Sequence, residues 1–549
     1  MTQTLAHVLL DRAAATPDGV AYRVLPRGAT ALGDTITWRE WARGAERVAR
    51  ALIARGVAVG DRILIFSDNR PMWPIVDLGA LMAGVVCVGA YPTSAAAQIA
   101  SQLRDSGAQC VFVDNATRLD VVRSVRDQIT WPLSVVVDEP AAAQELQPDE
   151  TAWINFVRDG DDPSLDAVLR ARMQSLVLDQ DAMLIYTSGS TGEPRGARIS
   201  HRYLLASAES IAHALSLQAS DSGVSFLPFC HAAERVFGLY VRLHVGMSAV
   251  LVEAPEDVFT ATRLFEPTVF GGLPRLFEKL ARAAQSHSDP ANGSQALHAL
   301  LGARCRIATS GGAALSPSVA DTLHAAGLTV LGAYGQTEHL CIAMNRPGAA
   351  RFETVGPAMP GTEVRIAEDG ELLVRRNALT FSGYFGKPAE TEAAFTADGE
   401  WLHTGDLAEQ EPDGALRIVG RRKELIALST GKKVAPLPIE AALCASPLIA
   451  SAMCYGEGRR FLSAVLQVQP EARALQVDIR PAVQAHVDHV NSALSRTEQV
   501  RAFVIATEPW TVETGELTPT LKLKRPVIIA QFQEALDALY VESSREVSA

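Results

Sequence analysis

Residues 182–201 read Ala182-Met183-Leu184-Ile185-Tyr186-Thr187-Ser188-Gly189-Ser190-Thr191-Gly192-Glu193-Pro194-Arg195-Gly196-Ala197-Arg198-Ile199-Ser200-His201. The apolar run Met183–Tyr186 has the pattern of a buried strand, and it opens directly into glycine, serine and threonine. Glycines let the backbone turn tightly with its N–H groups converging, a concavity that suits an anion. The hydroxyls add donors and Arg195 adds a fixed positive charge, so the segment reads as a polyphosphate cradle. It is not a Walker loop. The GxxxxGK[ST] order is absent, and a second strand (Ala197-Arg198-Ile199) follows before Ser200 caps a helix. Taken alone, the loop reads as well as a flexible surface connection, so the rest of the chain decides.

Outward from the loop, strands alternate with helical runs. Residues 36–56 carry Trp38, Trp41, Ala45, Val48 and Leu52 at helical spacing, with Gly56 as a stop. Ile63–Phe66, Val111–Val113 and Val135–Val137 are short buried-strand patterns. This alternation predicts α/β layers with parallel pairing. The longest apolar stretch, Leu78–Tyr91, is too short for a membrane span and is broken by Gly79, Gly84 and Gly89, so it reads as a buried helix–strand piece. Residues 139–163 are rich in Ala, Pro, Gln, Asp and Glu and read as a surface connection. A turn at Asp413-Gly414, a strand Leu416–Val419 and the charged joint Gly420-Arg421-Arg422-Lys423 mark a boundary. Beyond it lie about 125 residues, a normal small domain.

The 549 residues would divide into three to four units at about 150 residues each. An apolar share of 48% with 20% charged residues permits a sizeable core and excludes wholesale disorder. The net charge of −12 argues against a nucleic-acid partner. Seven scattered cysteines without a CxxC pair predict a reduced, cytoplasmic protein with neither zinc site nor disulfide framework. The first residues do not read as a signal peptide and the last carry no lipidation motif.

Further segments follow in order. Phe226-Leu227-Pro228-Phe229-Cys230-His231-Ala232-Ala233-Glu234-Arg235 precedes Phe270-Gly271-Gly272 and Leu273-Pro274-Arg275. Ile307–Ser310 runs into Gly311-Gly312-Ala313, where small residues would let a flat ligand approach the backbone. Tyr334-Gly335-Gln336-Thr337-Glu338, His403-Thr404-Gly405-Asp406, Ser429-Thr430-Gly431-Lys432 and Leu521-Lys522-Leu523-Lys524-Arg525 complete the set. In isolation each has a plain structural reading: strand-end residues, turn residues, a packed core histidine or a solvated basic run.

Together, over nearly the whole chain, these segments resemble the adenylate-forming superfamily, which includes acyl-CoA synthetases, firefly luciferase and peptide-synthetase adenylation domains. The form around His231 is similar to that of long-chain fatty acyl-CoA synthetases. The resemblance implies a large, multi-subdomain N-terminal α/β body (1–422) binding ATP and a carboxylate, and a small α+β C-terminal domain (423–549) swinging on a hinge at Lys423. It implies an ATP site built from Thr187, Ser188, Gly189, Ser190, Thr191, Gly192, Arg195, Gly311, Gly312, Ala313, Tyr334, Gly335, Gln336, Thr337, Asp406 and Arg421. Within that site Tyr334 stacks on adenine, Thr337 contacts the α-phosphate and Asp406 anchors the ribose beside Arg421. Glu338 and Thr187 hold Mg2+, His231 with Gly271 and Gly272 borders the acyl pocket, and Lys522 is the catalytic lysine, with Lys524 as the alternative register. Gly431 marks the loop for the coenzyme A step. Serine at 190 and arginine at 195 depart from the family's usual threonine and lysine. Glu234 and Arg235 read as a mutual structural brace.

The implied reaction is ATP-dependent activation of a carboxylic acid, a medium- or long-chain fatty acid, to acyl-AMP and then to acyl-CoA, with Mg2+ as cofactor. No carboxylate stands at 229–231 to pair an α-amine, which argues against an amino acid substrate. Two alternatives stay open at this point: loading of a carrier protein, and a catalytically reduced ATP- or acyl-binding regulator. A homodimer and peripheral membrane contact are both compatible with the chain.

Overall fold

The computed structural model describes residues 3–139, 145–188, 194–285, 290–446, 448–469, 478–511, 514–518 and 522–546. The periodic stretch near the N-terminus is the helix Trp38–Ala54. Its first turn is closed reciprocally: Glu40 N–H donates to Thr37 Oγ1 at 3.2 Å, and Thr37 N–H donates to the Glu40 carboxylate at 2.8 Å. Trp41, Ala45, Val48 and Leu52 are buried against the helix Met72–Met82. Gly79 permits this contact, because a Cβ there would lie 2.6 Å from Val48 Cγ1. After that helix the strand Val86–Ala90 completes the apolar stretch as a helix–strand piece.

The central sheet runs in the order Gly383–Tyr384, Pro194–Ser200, Asp181–Ser188, Val86–Ala90, Arg62–Phe66, Cys110–Val113, Ser134–Val137, Glu150–Ala152. From Asp181–Ser188 to Glu150–Ala152 every pairing is parallel. On the other side Pro194–Ser200 and Gly383–Tyr384 are antiparallel. The glycine loop therefore joins the two strands at which the sheet changes sense. One expectation is corrected here: residues 139–163 are not only a connection. They contribute the edge strand Glu150–Ala152 and the helix Trp153–Asp159, whose Phe156 packs edge-on against Phe112 at 5.2 Å. With only Phe156 and Val157 buried in that helix, its apolar signal was too short to stand out.

Two four-stranded sheets flank this one, Ser222–Ser225, Ser248–Val252, Val20–Leu25, Thr35–Thr37 and Val269–Gly272, Ile307–Ser310, Val330–Gln336, His339–Met344. A five-stranded sheet holds Trp401–Gln410 paired with Ala415–Arg421. A short 3-10 turn, Arg422–Glu424, follows that last strand.

Beyond it a smaller α+β unit has its own core. A three-stranded sheet (Ile449–Tyr455, Leu462–Val468, Val500–Ala506) carries the helices Pro436–Leu443, Arg480–Ser492 and Arg525–Glu546. Leu443, Val483 and Phe503 cluster on one side of it, and Trp510, Ile528 and Leu536 on the other. Among the described residues no helix is long and apolar enough to cross a membrane.

Candidate active site

Thr187 and Arg195 face each other across the antiparallel pair at the base of the glycine loop. Gly189, Ser190, Thr191 and Gly192 lie outside the described residues, as does the Ser188 side chain. Thr187 Oγ1 and Arg195 Nε are buried with no partner among the described residues, and so are Ser310 Oγ and Gln336 Nε2. Buried polar atoms are normally satisfied, so the orphaned Thr187 and Arg195 atoms at the two ends of the loop are groups that a polar ligand could satisfy. Arg195 Nη1 lies 3.3 Å from Glu390 Oε2, and its guanidinium carbon is 4.4 Å from the centre of the Tyr384 ring. The Tyr384 hydroxyl donates to Glu338 Oε1 at 2.5 Å. Burial, with Glu338 beside it, pushes the Tyr384 phenol far up, so it remains a donor.

Glu338 stands in the turn between Val330–Gln336 and His339–Met344. Gly335 makes that hairpin possible, because a Cβ would fall 1.6 Å from Leu340 O. The turn is held from below by the Tyr203 hydroxyl, which donates to Thr337 O at 3.0 Å. Tyr203 belongs to the helix His201–Leu215, which Ser200 caps by accepting from Tyr203 N–H. The helix that follows the phosphate-loop strands thus supports the Thr337–Glu338 turn. His339, next in sequence, is bonded to Thr362 at 3.0 Å and Thr380 at 3.3 Å, and burial pulls it down to about 3, leaving it neutral.

The Tyr334 hydroxyl donates to Asp406 Oδ2 at 2.6 Å, and Arg421 Nε lies 3.0 Å from Asp406 Oδ1. Asp406 and Arg421 are direct cross-strand partners. Each carboxylate oxygen keeps a lone pair, so two further hydroxyls can still be accepted. Gly311 N–H donates to Gly272 O at 3.3 Å, and the space beside Gly311 opens 3.5 Å from Ala333 O. This links the Gly271-Gly272 strand end to the Tyr334 strand. Gly312 adopts φ +81°, and with Ala313 it is exposed.

His231 Nδ1 accepts from Ala233 N–H at 3.2 Å, so Nε2 carries the proton of the neutral ring. Burial first, and the Lys522 charge second, pull His231 down to about 4. Its ring packs edge-on against Tyr91 at 6.4 Å. Below it Asn69 accepts from Phe229 N–H at 3.3 Å and donates to Leu227 O at 2.8 Å, fixing the segment. The expected Glu234–Arg235 brace is not formed. Arg235 is fully buried and pairs with Asp77, over the Trp73 ring at 4.8 Å, while Tyr240 donates to the other Asp77 oxygen at 2.6 Å. Glu234 instead bonds Ser225 and lies 3.6 Å from Arg242, and burial pushes it up to about 7. Neighbours in sequence on a helix project in different directions, and here they serve different partners.

Lys522 is brought to the same cleft from the C-terminal unit. Its amine is pulled down by burial and by Arg421, while Asp406 and Glu424 oppose the shift. The residue is exposed, so water in the cleft screens part of that lowering. Arg525 grips Glu440 with two bonds of 2.7 and 2.6 Å and stands 3.7 Å from Glu424. Lys423 lies in the 3-10 turn. Gly431 is exposed at φ +80°, and its turn bonds to Arg459 and Thr497 within the C-terminal unit, away from the nucleotide residues.

Sequence reasoning missed Glu371, whose carboxylate accepts from Gly405 N–H at 2.9 Å, His403 at 3.0 Å and Arg422 at 2.8 Å. The signal was a glutamate heading the apolar strand Glu371–Arg375. It also missed Tyr384, which lies remote in sequence from both of its partners.

A hard cation fits the residues present. Glu338 Oε2 and the unpartnered Thr187 Oγ1 are oxygen donors, the type that Mg2+ takes together with substrate phosphates.

The model of the AMP-binding enzyme family matches residues 9–385, and that of the AMP-binding enzyme C-terminal domain matches 423–544. A long-chain-fatty-acid–CoA ligase FadD15 of Mycobacterium bovis is 32% identical, with 95% of each chain covered. A putative fatty-acid–CoA ligase fadD11 of Mycobacterium tuberculosis is 33% identical over 66% of this chain and 74% of its own. Among solved structures, an anthranilate CoA ligase AuaEII in complex with anthranoyl-AMP superposes with a TM-score of 0.81 at 21% identity, covering 98% of both chains. A benzoate CoA ligase from Burkholderia xenovorans LB400 gives 0.78 at 23%, covering 95% and 99%.

Proposed function

The chain belongs to the AMP-binding enzyme family, and from that premise we propose that it is a fatty-acid–CoA ligase that activates a long-chain acid with ATP and passes the acyl group to coenzyme A. The observation that carries this reading is the Tyr334–Asp406–Arg421 group, bonded at 2.6 and 3.0 Å, with the Lys522 charge felt both there and at His231. One cleft then offers a cation between a nucleotide half and an acyl half.

In the first step a carboxylate oxygen of the fatty acid attacks the α-phosphorus of ATP, and the bond to the leaving pyrophosphate breaks. The nucleophile is already ionised, so positioning and charge stabilisation carry the barrier. Asp406 accepts from the ribose hydroxyls, with Arg421 and Tyr334 holding it in place. Thr337 contacts the α-phosphate. Lys522 spans the acid and the α-phosphate, where charge is redistributed. Arg195 draws on the departing phosphates. Neutral His231 donates from Nε2 toward the acid carboxylate. Mg2+, held by Glu338 and Thr187, would supply countercharge for the phosphates.

In the second step the coenzyme A thiol attacks the acyl carbon of the adenylate and AMP leaves. The C-terminal unit is read as swinging about Lys423 to exchange Lys522 for the Gly431 loop between the steps. Seven unpaired cysteines, five of them buried, support a cytoplasmic setting. The test is formation of AMP, pyrophosphate and acyl-CoA from ATP, coenzyme A and acids of graded chain length. Absence of adenylate with every acid would remove the proposal.

A further inference from the structure

Glu338 and Arg195 carry opposite charges at the phosphate end of the cleft, and one side chain touches both. The Tyr384 hydroxyl bonds Glu338 Oε1 at 2.5 Å, and the Tyr384 ring lies 4.4 Å from the Arg195 guanidinium carbon. The tyrosine is itself fixed. It is only 6% exposed, Phe381 packs edge-on at 4.9 Å, and its backbone N–H donates to a threonine hydroxyl at 2.8 Å. A ring so held cannot move independently of the strand that carries it.

The arginine is arranged to use this. One edge nitrogen lies 3.3 Å from Glu390, and Nε is buried without a partner among the described residues. A guanidinium meets an aromatic ring through its face while its donors lie in its plane, so ring contact and hydrogen bonding do not compete. An ammonium has no such division, since every donor it turns toward a phosphate turns away from something else.

We propose that Tyr384 is a positioning residue that couples the two charges on either side of the leaving phosphates, orienting the Glu338 carboxylate through its hydroxyl and the Arg195 guanidinium through its ring. With Oε1 occupied, Glu338 keeps Oε2 without a bond among the described residues. With the ring against its guanidinium carbon and Nη1 beside Glu390, Arg195 is held on two sides while Nε keeps no partner among the described residues. Both groups are thereby aimed before the nucleotide arrives, which removes reorganisation from binding. The inference rests on the acid-activating reading above.

The experiment measures binding rather than turnover. Mn2+ affinity is titrated by electron paramagnetic resonance with ATP present and acid absent, and pyrophosphate affinity by calorimetry, on the full chain. Tyr384→Phe keeps the ring and loses the hydroxyl. It should weaken Mn2+ by about 10-fold, the scale of a hydrogen bond to a charged group, and leave pyrophosphate within about twofold. Arg195→Lys should do the reverse, weakening pyrophosphate by about 10-fold and sparing Mn2+. Tyr384→Leu should weaken both. If that variant does not fold, the first two decide the matter. Tyr384→Phe with unchanged Mn2+ affinity would leave only a packing role and overturn the inference. So would Arg195→Lys with unchanged pyrophosphate affinity. A wild-type protein that binds both probes but makes no adenylate would fail the functional reading instead, and leave this one standing.

Discussion

Asp406 and Arg421 are cross-strand neighbours, and Arg421 Nε reaches Asp406 Oδ1 at 3.0 Å while Tyr334 holds the other oxygen. On the proposed reading the pair is a preformed acceptor for the vicinal ribose hydroxyls. Asp406→Asn should raise the ATP KM by roughly 10- to 100-fold, because it replaces an ion pair and two charged acceptors with a neutral amide. Steady-state kinetics with ATP and acid varied separately checks this. An equal rise in the acid KM would point to general distortion.

Lys522 and Lys524 stand two residues apart, and the Lys522 amine is pulled down by burial and by Arg421, with Asp406 and Glu424 opposing. Lys522→Ala should slow adenylate formation by about 10²–10³, the usual loss for a preorganised charge. Thioester formation from supplied acyl-AMP should continue. Lys524→Ala should stay within about twofold on both steps. The opposite pattern would move the catalytic role to Lys524.

Asp77 and Arg235 are both fully buried, with Tyr240 completing the group. Removing one partner strands a charge where water cannot reach it. Asp77→Asn should therefore destabilise the body by about 3–5 kcal/mol. Urea unfolding followed by tryptophan fluorescence should report it, since Trp73 lies over the Arg235 guanidinium.

His201 and His231 are pulled down to about 4 and His339 to about 3, each mainly by burial. An unfolded histidine takes up its proton near pH ~6.5, whereas these stay neutral in the folded chain until much lower pH. Below that value the unfolded chain binds more protons, so stability falls as pH falls. The contribution is fully present above about pH 6.5 and is lost progressively toward about pH 4. Urea midpoints at several pH values should show this slope, and His339→Gln should flatten it. A midpoint constant from pH 7 to 4.5 would contradict the assignment.

Gly335 leaves no room for a side chain, with Leu340 O 1.6 Å from where a Cβ would lie. Gly335→Ala must open the hairpin and shift Thr337 and Glu338. Adenylate formation should fall by at least about 100-fold, as expected when catalytic groups move by about 1 Å, while the C-terminal unit keeps its fold. Pyrophosphate release assays together with circular dichroism separate the two effects.

What could be read in the chain was what is local. The strand–loop–strand around Thr187 and Arg195, the Ser200 cap and the strand before Gly311 each announce themselves within a few residues. Even the order of the nucleotide segments was legible. What could not be read was pairing at a distance. Arg235 and Asp77 are 158 positions apart, and nothing in Glu234-Arg235 reveals that the two side chains diverge. Tyr384 and Glu338 are 46 apart, and their meeting depends on the edge strand Gly383–Tyr384 adding to Pro194–Ser200. Glu371 heads an apolar strand, and only the fold lays Gly405 and Arg422 beside it. Register and burial, not composition, decide such contacts.

Arg422 is tied to Asp369 and Glu371 on the body, and Glu424 to Arg525 of the C-terminal unit. The chain changes allegiance at the residue between them, Lys423. A change in the relative orientation of the two units that preserves both ties falls first on the backbone torsions at that position. On the proposed swing, such a joint would act as a swivel with very few degrees of freedom, and Lys522 would travel along a restricted path. Lys423→Pro would lock φ near −65° and leave only ψ to carry such a swing, restricting it without changing a side chain in the nucleotide group.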